Sequence, residues 1–203
     1  AFLIDKTTRD RLVNNDVKYA KFIKPWLRGR DIQKWHIDWA ELFLILIPSS
    51  TNLSHPWSDK PQIESEKIFA SLYPAIYELL LPNREKLIKR YDQGRYYWEL
   101  RSCSYYDMLD LPKIVYQKFQ IEPKFVFDEV GYYPNTAIWM LVTNHLFLLG
   151  ILNSPLGWYL IRQHCTQIQN GYQLIWDYFK HIPIAVPNKE IDQAMTEIVQ
   201  KLL

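Results

Sequence analysis

The chain has 203 residues, 48% of them hydrophobic and 23% charged, which supplies a sizeable core and too little charge for wholesale disorder. Its net charge of +2 and pI of about 8.4 fall short of the strongly basic balance, a pI above about 9, of a dedicated nucleic-acid binder. Cys103 and Cys165 lie far apart without CxxC spacing, which argues against a disulfide framework or a zinc site and for a reducing compartment. Nothing at the N-terminus resembles a signal peptide. The longest apolar run, residues 138–152, is shorter than the roughly 20 residues of a membrane helix and contains Asn144 and His145. A cytoplasmic, membrane-free protein is expected. The missing initiating Met, an opening inside a strand and an end inside an amphipathic helix read as a piece of a longer protein.

In chain order, residues 2–4 read as a strand and Thr8 to Val13 as a short helix with Thr8 as N-cap. The stretch Ile23 to Ile32, with Pro25 and Gly29, reads as a turn-bearing connection. Phe43 to Ile47 is a buried strand stopped by Pro48, and residues 49–62 form a polar loop. Apolar spacing predicts helix over 72–91, broken near Pro82. Strands are expected over 113–119, 124–130 and 138–143, with a hairpin turn at Gly131. Helix follows over 145–163, interrupted at Asn153-Ser154-Pro155, where Ser154 and Pro155 suit the cap and first position of a second helix. The last helix, capped by Asn188, places Ile191, Met195, Ile198, Val199 and Leu202 on one stripe. Strands and helices without regular βαβ alternation predict an α+β fold of small mixed sheets with packed helices. Residues 1–187 are expected to form the body, and 188–203 an amphipathic helix packing on a parent enzyme or partner.

Catalytic signatures are scarce. There is no GxGxxG, P-loop or GxSxG, and the five histidines lack metal-ligand spacing, so each reads as a packed or surface residue. Asp110 followed by Glu122-Pro123-Lys124 has the look of a metal-dependent nuclease triad, in which two carboxylates hold Mg²⁺ beside a lysine. Pro123 would, however, remove a ladder hydrogen bond from a central strand. Glu99 and Asp107 could form an acid-base pair but have no nucleophile beside them. Binding signals are stronger. Lys18, Lys21, Lys24, Arg28, Arg30 and Lys34 interleave with Tyr19, Phe22, Trp26 and Trp35. A second basic cluster holds Arg84, Lys86, Lys89, Arg90, Arg95 and Arg101, beside Tyr96, Tyr97 and Trp98. Such cations neutralise phosphates and release counterions; the alternatives are solvated faces, or a protein-interaction module docking an acidic partner.

Several segments in order carry a family resemblance. They are Ile23-Lys24-Pro25-Trp26-Leu27-Arg28-Gly29-Arg30-Asp31-Ile32, Tyr73-Pro74, Trp98-Glu99-Leu100-Arg101, Pro112-Lys113-Ile114-Val115, Phe127-Asp128 with Gly131-Tyr132-Tyr133, Leu149-Gly150-Ile151-Leu152-Asn153-Ser154, and Ile182-Pro183-Ile184. Together they resemble the TaqI-like C-terminal specificity domain of DNA adenine methyltransferases and fused restriction-modification enzymes. The closing I-P-I-P departs from the pattern, with Ala185 where the second proline is expected. The resemblance implies a non-catalytic domain that recognises double-stranded DNA for an N6-adenine methyltransferase or restriction enzyme. S-adenosylmethionine and base flipping would belong to a catalytic domain outside this chain. Phosphate contact is expected from Lys24, Arg28, Arg30 and Lys34, although Asp31 pairing an arginine to hold the fold is the alternative. Base reading is expected from the loops 102–107, 132–136 and 167–173: Asn135, Gln169, Asn170 and Gln173 suit adenine, Arg95 and Arg101 guanine.

Overall fold

The computed structural model describes residues 2–203. It is α+β and divides into two compact units, one of residues up to Trp26 and Glu41–Asp107, the other of Leu27–Ala40 and Met108–Leu203.

In the first unit, β1 (Leu3–Asp5) leads directly into α1 (Lys6–Asn15). The cap is Asp5, whose carboxylate accepts the Thr8 N–H at 2.8 Å; the helix starts at Lys6, two residues before the expected Thr8, because the aspartate already satisfies an orphan donor of the first turn. β2 (Ile23–Leu27) is a strand where a turn was expected. It pairs antiparallel with β3 (Leu42–Ile45), and Pro25 occupies the last registered pair, opposite Phe43, where its missing N–H costs the ladder least. β3 also pairs antiparallel with β1. Helices α2 (Gln62–Leu72), α3 (Pro74–Leu80) and α4 (Arg84–Ile88) follow. The predicted 72–91 helix is thus two short helices, and its largest neighbour, α2, lies just before it. Trp57, Phe69 and Trp98 are fully buried. Trp98 stacks on Phe69 at 5.1 Å and on Tyr96 at 4.9 Å. Glu99 is buried and accepts from the Ser50 and Arg95 N–H groups and from Trp57 Nε1 at 2.9 Å. It organises a core and has no place in an acid-base pair with Asp107.

The second unit is built on β4 (Lys113–Gln117), β5 (Phe119–Gln120), β6 (Phe125–Asp128), β7 (Tyr133–Pro134) and β8 (Ile138–Val142). β4 is central, antiparallel to β6 on one side and β8 on the other. Gly131, with φ 83°, therefore turns a crossover between β6 and β8 and not a hairpin. Helices α5 (Leu146–Leu152) and α6 (Pro155–His164), the short hairpin β9 (Thr166–Ile168) and β10 (Gly171–Gln173), α7 (Trp176–Phe179) and α8 (Lys189–Gln200) complete the unit. Ser154 caps α6 with Pro155 at its first position, and Asn188 caps α8, as the sequence predicts.

Strand alternation gives the sheet two buried faces. Ile114, Tyr116, Phe125, Phe127, Trp139 and Leu141 meet the helices. Val115, Val126, Ile138 and Met140 are covered by the 27–40 strip through Leu27, Ile32 and Ile37. On the strip side Lys113 lies opposite Asp128, and their fully buried side chains pair at 2.7 Å. Asp128 also accepts the N–H groups of Val130, Gly131 and Tyr132. Asn153 bonds both backbone groups of Phe125, tying α5 to the sheet. α8 lays Met195 and Val199 against Gly150 of α5, where a Cβ would fall 2.8 Å from the Met195 sulfur. Part of the stripe expected to meet a partner is thus used inside the unit, while Ile191, Ile198 and Leu202 stay exposed. No described helix is long and apolar enough to cross a membrane.

Candidate nucleic-acid interface

One end of the second unit gathers several expected contact residues through backbone bonds. The 28–31 turn opens with Arg28, whose Nη2 and Nε donate to the Asp31 carboxylate at 2.7 and 3.0 Å. That carboxylate raises the arginine's pKa above its ordinary value and commits its guanidinium to the turn. Asp31 pairing an arginine, the alternative considered for this motif, is what the structure contains. Arg30 points out and is exposed, and Lys34 is exposed with its Nζ 5.9 Å from the Trp35 ring centroid.

The neighbours of this turn follow from its glycine. The Gly29 carbonyl accepts from the Gln117 side chain, and Gly29 itself lies against Gln117 and Ala137. The Asn135 N–H donates to the Leu27 carbonyl at 3.0 Å, and its side-chain oxygen accepts the Ala137 N–H at 3.1 Å. Lys118 N–H in turn donates to Ala137 at 2.9 Å, and its carbonyl accepts from Leu174 at 2.7 Å. Leu174 follows β10, whose Gln173 registers with Phe119 and with Thr166 of β9. The loop holding Gln169 and Asn170 is the two-residue turn of this hairpin, with Gln169 at φ 54°. Arg30, Asn135 and Gln173 therefore share a connected framework with Gln167, the first residue of the expected 167–173 loop, and with Lys118, which the sequence did not single out. Lys118 is half-buried at the bend between β4 and β5, inside the 113–119 stretch that the sequence reads as one core strand.

The remaining expected residues belong to the first unit. Lys24 is half-buried on β2, opposite Leu44. Arg95 is ion-paired with Asp59. Arg101 is exposed, and its carbonyl accepts from Tyr106 at 2.9 Å; burial pushes that phenol up to about 12. The 102–107 loop is tethered by Asn52, which exchanges two 3.0 Å bonds with the Cys103 backbone.

The nuclease triad does not assemble. Asp110 sits in a turn against Gly131 and accepts from Tyr133. Glu122 is exposed between β5 and β6, paired with Lys124 at 3.1 Å. Among the described residues no three His, Cys, Asp or Glu side chains come together as metal ligands.

No curated protein matches the chain in sequence. Among solved structures, the fold is similar to a type IIL restriction-modification enzyme, MmeI, in complex with DNA, with a TM-score of 0.61 at 11% identity. The likeness covers 98% of this chain, which spans about a quarter (25%) of that enzyme. Residues 24–184 match the TaqI-like C-terminal specificity domain, and the chain belongs to that family.

Proposed function

We propose that the chain is the double-stranded DNA-recognition part of a restriction-modification enzyme, itself non-catalytic, acting in the cytoplasm beside an N6-adenine methyltransferase domain of the same parent protein that would bind S-adenosylmethionine. The observation that carries this reading is the family match across 24–184. The grouping of Arg30, Lys118 and the amide-bearing hairpin on one framework supports it, since cations grip phosphates while loops on a rigid scaffold read bases. The exposed Ile191 and Ile198 of α8 and Leu202 just beyond its end are assigned to the junction with that catalytic domain.

The test is fluorescence anisotropy of the 203-residue chain with a mixed-sequence duplex across a salt series. Each phosphate contact contributes roughly −0.9 to the slope of log affinity against log salt. Arg30, Lys34 and Lys118 together predict a slope of about −2.7 or steeper, and Arg30→Gln with Lys34→Gln should flatten it by about 1.8. An affinity indifferent to salt, or no duplex binding at low salt, overturns the reading.

A further inference from the structure

The β9–β10 ribbon differs in chemistry from its surroundings. Residues 165–176 carry no charged side chain, while Lys118 and Arg30 lie on the same framework and Arg162 is exposed just before the ribbon. Thr166, Gln167, Ile168, Gln169 and Asn170 are all exposed. The root is rigid: Tyr172 packs edge-on against Trp158 at 5.6 Å and registers with Gln120. At Gly171 a Cβ would fall 2.6 Å from both the Gln120 carbonyl and the Phe119 ring, so the strands approach as closely as glycine allows. The tip holds Gln169 in the left-handed region at φ 54°, a conformation that favours glycine or asparagine and that a two-residue hairpin turn requires.

Resting on the DNA-reading role proposed above, we infer that this ribbon is the base-reading element of the second unit and reads A·T pairs in the major groove. A two-stranded ribbon fits a groove about 12 Å wide. Glutamine and asparagine amides match adenine N6 and N7, and Ile168 and Thr166 offer apolar contact to a thymine methyl. The ribbon has no arginine or lysine for guanine and no carboxylate for cytosine. Phosphate grip and base reading are thereby divided between charged neighbours and an uncharged ribbon.

The experiment selects preferred duplexes from a randomised pool with the 203-residue chain, then measures their binding by anisotropy. The unaltered chain should fix at least one A·T pair. Replacing that pair by G·C should weaken binding about 5- to 150-fold, and 7-deazaadenine, which lacks the N7 acceptor, should weaken it too. The Gln169→Gly variant keeps the turn, because glycine suits the positive φ. Combined with Gln167→Ala and Asn170→Ala, it should lose most of the A·T preference and keep only the share that Ile168 and Thr166 supply, with an unchanged salt slope and circular dichroism spectrum. A triple variant that keeps the preference in full, or a selected site whose fixed pairs are all G·C, overturns the ribbon assignment and leaves the DNA-reading role standing. Failure of the unaltered chain to bind any duplex overturns both.

Discussion

The Lys113–Asp128 pair lends itself to a quantitative test. Both side chains are fully buried and 2.7 Å apart, so removing either partner strands a charge without solvent, at a cost of about 3–5 kcal/mol. The two truncations are not equivalent. After Lys113→Met, Asp128 still accepts from Val130, Gly131 and Tyr132, which offsets part of the loss. After Asp128→Ala, Lys113 keeps only carbonyl acceptors such as Leu109 at 2.5 Å, and three N–H groups lose their acceptor. Lys113→Met is therefore expected near the lower end, about 3 kcal/mol. Asp128→Ala should be larger by the buried share of those donors, about 1–3 kcal/mol for each that water cannot reach. With a urea m-value of about 2 kcal/mol per molar, Lys113→Met should lower the midpoint by roughly 1.5 M, followed by tryptophan fluorescence. Losses under about 1 kcal/mol in both variants, or a costlier Lys113→Met, would refute the reasoning.

Two further outcomes follow from titrating groups. Glu66 is held below the ordinary glutamate value by Arg84, with help from Tyr97 and Tyr77. Its contribution is present above the unfolded value of about 4.5 and is lost as pH falls through the lower folded value. Glu66→Gln should flatten the acid limb of stability followed by urea midpoint against pH, and an unchanged limb would count against the Arg84 pair. Burial pushes the Cys165 thiol up to about 11, whereas Cys103 is half-exposed. A thiol reagent at pH 8 should therefore label Cys103 first and Cys165 only on unfolding; equal rates would contradict the buried position.

The elements legible in the sequence were those whose caps and periodicity agreed. Asn188 and the apolar stripe marked α8, and Ser154-Pro155 marked α6 to the residue. β2 was hidden by Pro25, whose tolerance depends on its place in the ladder with β3. The β9–β10 hairpin was hidden because all of β9 is exposed, leaving no alternation to read, and because its turn uses Gln169 where glycine or asparagine would announce a positive φ. For the candidate site, the residue types were visible but their commitments were not. Arg28 and Arg30 look alike in sequence, yet only Arg28 is bound by Asp31. Much of the family signature proves architectural: Lys113, Asp128, Glu99 and Asn153 are buried and bonded within their own units.

The chain path constrains how such a unit can be moved between proteins. The second unit is assembled from Leu27–Ala40 and Met108–Leu203, with most of the first unit strung between them. A chimera that transplants only 108–203 would carry the hairpin and every sheet strand from β4 onward. It would leave behind Leu27 and Ile32, the lining of Val115, Val126 and Ile138, and set a foreign strip against that face. Overpacking or voids there cost about 1–5 kcal/mol per mismatched side chain, comparable to the whole stability of many domains. Grafting the unit intact requires a two-piece cassette, cut within this chain after Trp26, Ala40 and Asp107.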